Sequence, residues 1–522
     1  MTRLALRSNQ TFPPFQPQRA KSAFLTWLLS AHCLTVPLAA DAQTGAAPSA
    51  ASATSTTSAA VAPPATATAS TGATAALPGA APANRGAASL LRPFGDDSPW
   101  NLRPDRPVLG DERLPPTRFH PFVGPGDYST GVFVAGPGDP PVTVLGPDRD
   151  TDLWCADDED SHPVRLPRWP KTVTPALGTD GHADIIDPVT GIVHSFWQLR
   201  YDGRAWRATQ YAWTRLDGRG WGDPAHYQQG ARAAGVAPLG GLIRREEVDD
   251  GLPYYRHVLA VSLDGSALKA GYVFPATSED SHSAVSYRGR IPMGTLLMLP
   301  ASFDVAALDT PALRKVASTL QRYGARVVDQ NVDTRFNLYV ENGSDFNLHR
   351  SGWNSRAADD LDRIADALRP VISQQGWLDE AGRPHPLTTR LNLLSLRGPW
   401  TDDGGRTVTL FDSWRQAVVF APGSPPMTLA QRRGNGMRVT PWAAITPGHR
   451  YRLSVRAAGG ATLSLSWRRP DGTTAAYGTP LGDGQSQAWT ATADQPIPWL
   501  VLRHAGGAAG AWLSADLVEI ER

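Results

Sequence analysis

Residues 44–88 are almost entirely Ala, Thr, Ser, Pro and Gly, without one aromatic side chain. Such a stretch cannot bury enough apolar surface to offset the entropy of ordering its backbone, so it predicts a disordered spacer. Folding is thereby confined to the residues beyond Ala88. Ahead of the spacer, Arg19 and Lys21 precede an apolar run from Ala23 to Ala40 that ends in Ala40, Asp41 and Ala42. A basic flank, an apolar run and an A-x-A triplet make a secretory signal peptide, with cleavage expected before Gln43. The run carries Ser30, His32 and Pro37 and no stop-transfer flank, which favours a cleaved signal over a permanent membrane span. His32 is too large for the position before a lipid-bearing Cys33. The expected organisation is a signal peptide at 1–42, a linker at 43–89, and a secreted or periplasmic folded part beyond.

Removal of the signal leaves Cys155 as the only cysteine, so no intrachain disulfide is expected and stability must come from burial. Lys plus Arg number 50 against 49 Asp plus Glu, a balance that points to neither a nucleic-acid nor an anionic-membrane partner. The chain holds 17 Trp, a residue that suits both a core and the stacking of sugar rings.

From Leu90 to about Val340, short apolar runs are separated by Gly, Pro and Asp turns, the pattern of an all-β body. The expected fold is mainly β: a β-sandwich or jelly-roll-like main domain at 90–345 with a few short helices. One helix is predicted from Thr310 to Gly324, with Pro311 at its first position, and a shorter one after Pro224. A third, from about Ser355 to Gln375, is amphipathic through Leu361, Ile364, Leu368 and Ile372 and is read as a helical connector at 346–385. Beyond it, Tyr451, Leu453 and Val455 alternate with polar residues, as do Leu463, Leu465 and Trp467. That predicts a C-terminal antiparallel β-sandwich at 386–522, patterned like a carbohydrate-binding module.

Within the main domain, Asp202 and Gly203 predict a two-residue hairpin turn between the runs Ile192–Tyr201 and Arg204–Leu216. In that register one face is largely apolar, and the other gathers His194, Phe196, Gln198 and Arg200 with Arg207 and Tyr211, Trp213 lying beyond. Rings beside planar polar groups suit sugar binding, and these seven are the expected substrate-binding residues. The alternative is a face that packs under a loop through satisfied polar pairs.

Candidate chemistry falls in three clusters. Asp180, His182, Asp184 and Asp187 lie in GTDGHADIIDP; alternation places His182 and Asp184 on one face, as an acid and its orienter or as metal ligands, and Asp187 before Pro188 reads as a turn residue. Glu247 and His257 belong to RREEVDDGLPYYRH and can supply an acid and a base, or solvated ion pairs. Asp329, with Asn331, comes straight after the strand expected at Ala325–Val328, where site residues often sit. No metal ligand set and no cofactor is assigned, although the two EDSH strings, Glu159–His162 and Glu279–His282, leave room for structural calcium. No serine-hydrolase, zincin, P-loop or dinucleotide fingerprint stands out.

The segments TDGHADIIDP, GLIRREEVDDGLPYYRHVLAVSL, IPMGTLLMLPASFD and LQRYGARVVDQN, in this order, resemble an uncharacterised family of secreted bacterial β-rich proteins. Members are often attached to carbohydrate-binding or immunoglobulin-like modules. The resemblance spans roughly residues 95–340 and matches the family's recurrent polar positions at Asp180, His182, Glu247, His257 and Asp329. Gln330 and Asn331 stand where the family often has Asn-Gly. The resemblance implies an extracytoplasmic β-rich protein and supplies no mechanism.

These readings lead to a secreted polysaccharide-degrading enzyme whose partner is a glycan. The first expectation is a glycoside hydrolase, with Glu247 and either Asp184 or Asp329 as its carboxylates and His182 or His257 shaping the site. A polysaccharide lyase for uronic-acid glycans, working through Arg200, Arg207, His194 and Tyr211, is the second. A noncatalytic glycan-binding or cell-surface protein is the third.

Overall fold

The computed structural model describes residues 90, 92–385, 391–431, 441–469, 471, 473–492, 497–507 and 509–521. The signal peptide and linker expected at 1–89 lie outside the described residues. The fold is mainly β, in several sheets with few helices, as the alternation implies.

One six-stranded sheet runs in the order Gly131–Val134, Ala183–Asp187, Ile192–Trp197, Gln210–Arg215, Trp154–Cys155, Asp160–Ser161. Successive side chains alternate across it. Ile185, Phe196, Tyr211 and Trp213 enter a core with Leu153 and Trp169. Ile186 and Val193 enter a second core together with Leu259, Val261 and Val327. Both faces are therefore buried, which is why apolar side chains stand at successive positions, Ile185 beside Ile186 and Ile192 beside Val193.

A seven-stranded mixed sheet shares the second core, in the order Val108–Leu109, Arg369–Ser373, Leu296–Met298, Ala325–Asn331, Leu259–Asp264, Phe336–Tyr339, Phe122–Gly124. The parallel pairing of Leu259–Asp264 with Ala325–Asn331 slips at Val261/Ser262, so that Ser262 faces Asp329. Such irregularities re-aim side chains, and here they sit where two strand ends reach a groove.

The helix Pro311–Arg322 forms where predicted, and Gly324 ends it at φ +77°, a conformation open to glycine. Thr310 makes no side-chain cap; Asp360 instead accepts from the backbone N–H of Thr310 at 2.8 Å and of Asp309 at 3.2 Å. Asp360 belongs to the helix Ser355–Ala367, which stops before Pro370, because the residue preceding a proline disfavours helical geometry. Leu361, Ile364 and Leu368 pack in the main core, and Arg369–Ser373 joins the seven-stranded sheet with Ile372 exposed. Residues 355–373, expected as a connector, thus help build that core. The helix expected after Pro224 is a series of turns.

The C-terminal part is an antiparallel sandwich of a six-stranded and a five-stranded sheet. Leu453 and Val455 meet Leu463, Leu465 and Trp467 in its core, as alternation requires. It is seated on the main body through buried and half-buried groups: Arg397 donates to Asp157, Gln416 donates to Asp157 at 2.8 Å, and Trp414 donates to the Tyr211 hydroxyl at 3.1 Å. Trp442 adds a bond to the Ala276 carbonyl at 2.7 Å. Among the described residues no helix is long and apolar enough to cross a membrane.

Candidate active-site groove

At Gln198 the hairpin strand bends, taking φ +57°. The backbone N–H groups of Gln198 and Leu199 there donate to the carbonyls of Asp180 at 2.7 Å and Gly181 at 3.1 Å. The bend thereby docks the segment Asp180–His182 beside Trp197, whose indole N–H donates to Asp180 Oδ1 at 3.3 Å. These residues form one wall of a groove of roughly 680 Å³. The bulged strand ends bring Ser262, Asp329 and Asn331 to its floor, the loop Ser278–Ser281 brings Glu279 and Asp280, and Phe336–Tyr339 brings Asn337 and Tyr339. Tyr128, Gln210 and Gln228 complete the rim.

Arg232 anchors the floor from below, with 1 % of its side chain exposed. Its guanidinium lies 3.7 Å from the Tyr339 ring centre, donates to Asp329 at 3.1 Å and donates to the Tyr128 carbonyl at 3.2 Å. Burial raises the Asp329 carboxyl to about 7; the charge of Arg232 opposes that rise, and the nearby carboxylates of Asp280 and Asp180 add to it. Asp280 is raised too, chiefly by burial, while a bond from the Tyr287 hydroxyl holds it down. Burial and the Arg232 charge push His182 down to about 3, so its ring is neutral at physiological pH. His182 Nδ1 lies 3.3 Å from the Phe196 carbonyl, which can only accept, so Nε2 presents its lone pair 3.8 Å from Asp180. The groove thus holds a proton-bearing carboxyl, further carboxylates, a neutral imidazole, an indole and planar amides.

Of the expected catalytic residues, Asp329 and His182 line this groove. Asp184 does not: its side chain is fully buried, accepting from Ser195 at 2.6 Å and from the Leu239 N–H at 2.5 Å, and burial raises it to about 7. Glu247 and His257 also lie outside it. They form a 3.2 Å ion pair at the short helix Arg245–Glu247, where Glu247 also accepts from the Arg244 N–H at 3.0 Å. Arg244 and Arg245 both grip the buried Glu341. The cluster forms a short helix tied down by ion pairs rather than a surface strand, with Glu341 buried and Arg245 and Glu246 at the surface.

None of the seven expected substrate-binding residues lines the groove. The turn after Tyr201 has four residues, 202–205, because the Asp202 side chain accepts from both Arg204 N–H and Ala205 N–H. The register consequently moves by two, pairing Phe196 with Tyr211 and His194 with Trp213. A shift of two keeps His194, Phe196, Tyr211 and Trp213 on one face, while the bend at Gln198 carries Arg200 and Arg207 into a separate four-stranded sheet. His194, Phe196, Tyr211 and Trp213 are buried, with His194 2.8 Å from the Tyr211 hydroxyl and close to Trp414 of the sandwich. Gln198 accepts from Thr209 at 2.6 Å, Arg200 donates to the Pro147 carbonyl at 2.7 Å, and Arg207 pairs with Asp202 and Asp150. The face read as apolar supplies the groove through Trp197 and Gln210. Asp280 carried only the acidic string as a signal, and Arg232, between alanines, carried none.

No family model matches the chain, and no curated protein matches it. Among solved structures, 18 % identity and a TM-score of 0.16 relate it to "CBM4 structure and function", covering 24 % of this chain and 95 % of that one. "Family 16 Carbohydrate Binding Module-2" gives 15 % identity and 0.14, covering 20 % and 76 %. The "Glycosylation Associate Protein (Gap123) complex from Streptococcus agalactiae" gives 16 % and 0.16, with 20 % of this chain spanning 37 % of that one. With superpositions this loose, function has to be read from the groove itself.

Proposed function

We propose that the groove binds a glycan and hydrolyses a glycosidic bond there. One observation carries the reading: Asp180, Asp280 and Asp329, from three separate segments, converge around a buried Arg232, and Asp329 is raised to about 7. A carboxyl that keeps its proton near neutrality can protonate a leaving oxygen, and a second carboxylate can activate water or attack the anomeric carbon. Asp329 is the acid in this reading and Asp180 the partner. Trp197 offers a ring face to a pyranose, and Gln210, Gln228 and Asn337 offer bonds to its hydroxyls.

The lyase reading needs an Arg or Asn to neutralise a uronate, and none of the residues expected for it, Arg200, Arg207, His194 and Tyr211, lines the groove. Arg232 is covered by Tyr339 and paired with Asp329, while Asp180, Glu279 and Asp280 add negative charge, so the groove favours a neutral or cationic glycan. Export to the periplasm or beyond accompanies this proposal on the strength of the N-terminal sequence, and N-terminal sequencing of the mature protein tests it.

Incubation of the chain with neutral, amino and uronate glycans, reading both reducing ends and unsaturated uronate ends, tests the chemistry. Reducing ends alone are expected. Both signals together would establish a lyase, and binding with neither would leave a noncatalytic glycan-binding protein.

A further inference from the structure

The strands Trp154–Cys155 and Asp160–Ser161 pair antiparallel around a tight turn, with Cys155 opposite Asp160. The turn folds Cys155, Asp158 and His162 together, and a thiol, a carboxylate oxygen and a ring nitrogen from these three lie within 4.8 Å of one another. Cys155 Sγ is 3.6 Å from His162 Nδ1, and Asp158 Oδ2 is 2.7 Å from His162 Nε2. The other Asp158 oxygen, Oδ1, is buried and has no hydrogen-bond partner among the described residues. None of these groups lines the groove.

The donor set selects the ligand. Calcium takes six to eight oxygens, which a thiol and an imidazole do not provide. Zinc takes sulfur, nitrogen and oxygen together, and bonds of about 2.3 Å to sulfur and about 2.0 Å to nitrogen place the two donors about 3.5 Å apart in a tetrahedron. Sγ and Nδ1 stand 3.6 Å apart, close to that edge; each now faces a carbonyl, Nδ1 that of Pro163 at 3.1 Å and Sγ that of His162 at 3.5 Å, contacts that the ion would replace. We propose that Cys155, Asp158 and His162 form a site for zinc or a similar borderline divalent ion, with the unpartnered Oδ1 of Asp158 as its oxygen ligand. His162, 43 % exposed, has room to turn one ring nitrogen onto the ion and opens the remaining position to water. The same turn carries Asp157, which grips Arg397 of the C-terminal sandwich. Bound metal therefore stiffens the hairpin that holds the sandwich in place.

The test titrates the chelator-treated full chain with Zn²⁺, Co²⁺ and Ca²⁺. One equivalent of Zn²⁺ or Co²⁺ should bind and raise the melting temperature, and Co²⁺ should show a thiolate-to-metal charge-transfer band. Cys155→Ser should abolish the band; His162→Asn, at an exposed side chain that should tolerate the change, should weaken binding at least about tenfold. Absence of stoichiometric binding, equal binding by both variants, or preference for Ca²⁺ would overturn the site. Glycan cleavage is not the readout, so the groove assignment stands or falls separately.

Discussion

Replacing Asp329 by Asn should flatten the pH dependence of stability between about pH 4 and pH 7. In the folded protein the carboxyl is raised from 3.8 to about 7, first by burial and then by its carboxylate neighbours. The folded state therefore holds a proton in that window that the unfolded chain has released. Stability from this group is complete below the unfolded value, declines as pH rises, and levels off above about 7. At about 1.4 kcal/mol per pKa unit, the decline is at most about 4 kcal/mol. The Asn variant has no proton to lose, and below about pH 4, where Asp329 is uncharged folded or unfolded, its altered hydrogen bonding with Arg232 sets a fixed offset. Asp184, also raised to about 7, contributes equally to both proteins and cancels in the difference. Because Asp280 and Asp180 share the groove, the slope belongs to the carboxyl group cluster as a whole. Urea unfolding of both proteins across this range measures the difference. Parallel profiles would refute the claim that the groove imposes a proton on Asp329.

Glu247→Gln should cost about 3 kcal/mol by breaking a pair whose side chains are only 16 % and 12 % exposed, with glycan cleavage unchanged. The Glu247 carboxyl is lowered and His257 raised, so the pair's contribution is lost as pH falls through the former or rises through the latter, which thermal melts across pH will show. Asp157→Asn leaves the buried Arg397 guanidinium without its carboxylate and should cost about 3–5 kcal/mol, seen as earlier unfolding and faster proteolysis between body and sandwich. Trp197→Ala should weaken glycan binding by about 1 kcal/mol, about fivefold in calorimetric titration, while the melting temperature changes less than for Asp157→Asn.

Much of the fold was legible because it depends on local rules. Alternation placed Leu453, Val455, Leu463 and Leu465 in the sandwich core, and Pro311 with Gly324 bounded a helix that forms there. The hairpin face of His194, Phe196, Tyr211 and Trp213 was also legible, since parity survives a register shift of two. What covers it was not, because Trp414 and the core around Trp169 come from distant sequence. The groove was legible in part. Asp329 and His182 stood out as ionisable residues at strand ends, but their union with Asp280 and Arg232 depends on a bulge at Ser262 and a bend at Gln198, neither written in a periodic pattern. Glu247 and His257 looked identical to a catalytic pair in sequence, because an acid beside an imidazole has the same spelling whether it works on a substrate or ties a loop.

Glycosidic cleavage is proposed for the groove of Asp180, Asp280 and Asp329. The most direct measurement compares kcat/KM of Asp329→Asn and Glu247→Gln, by reducing-end release, on the glycan that the wild-type chain cleaves best. Asp329→Asn should lose about a hundredfold or more, the size of a missing general acid, while folded Glu247→Gln should keep wild-type rates. A fully active Asp329→Asn beside an inactive, folded Glu247→Gln would contradict cleavage at this groove.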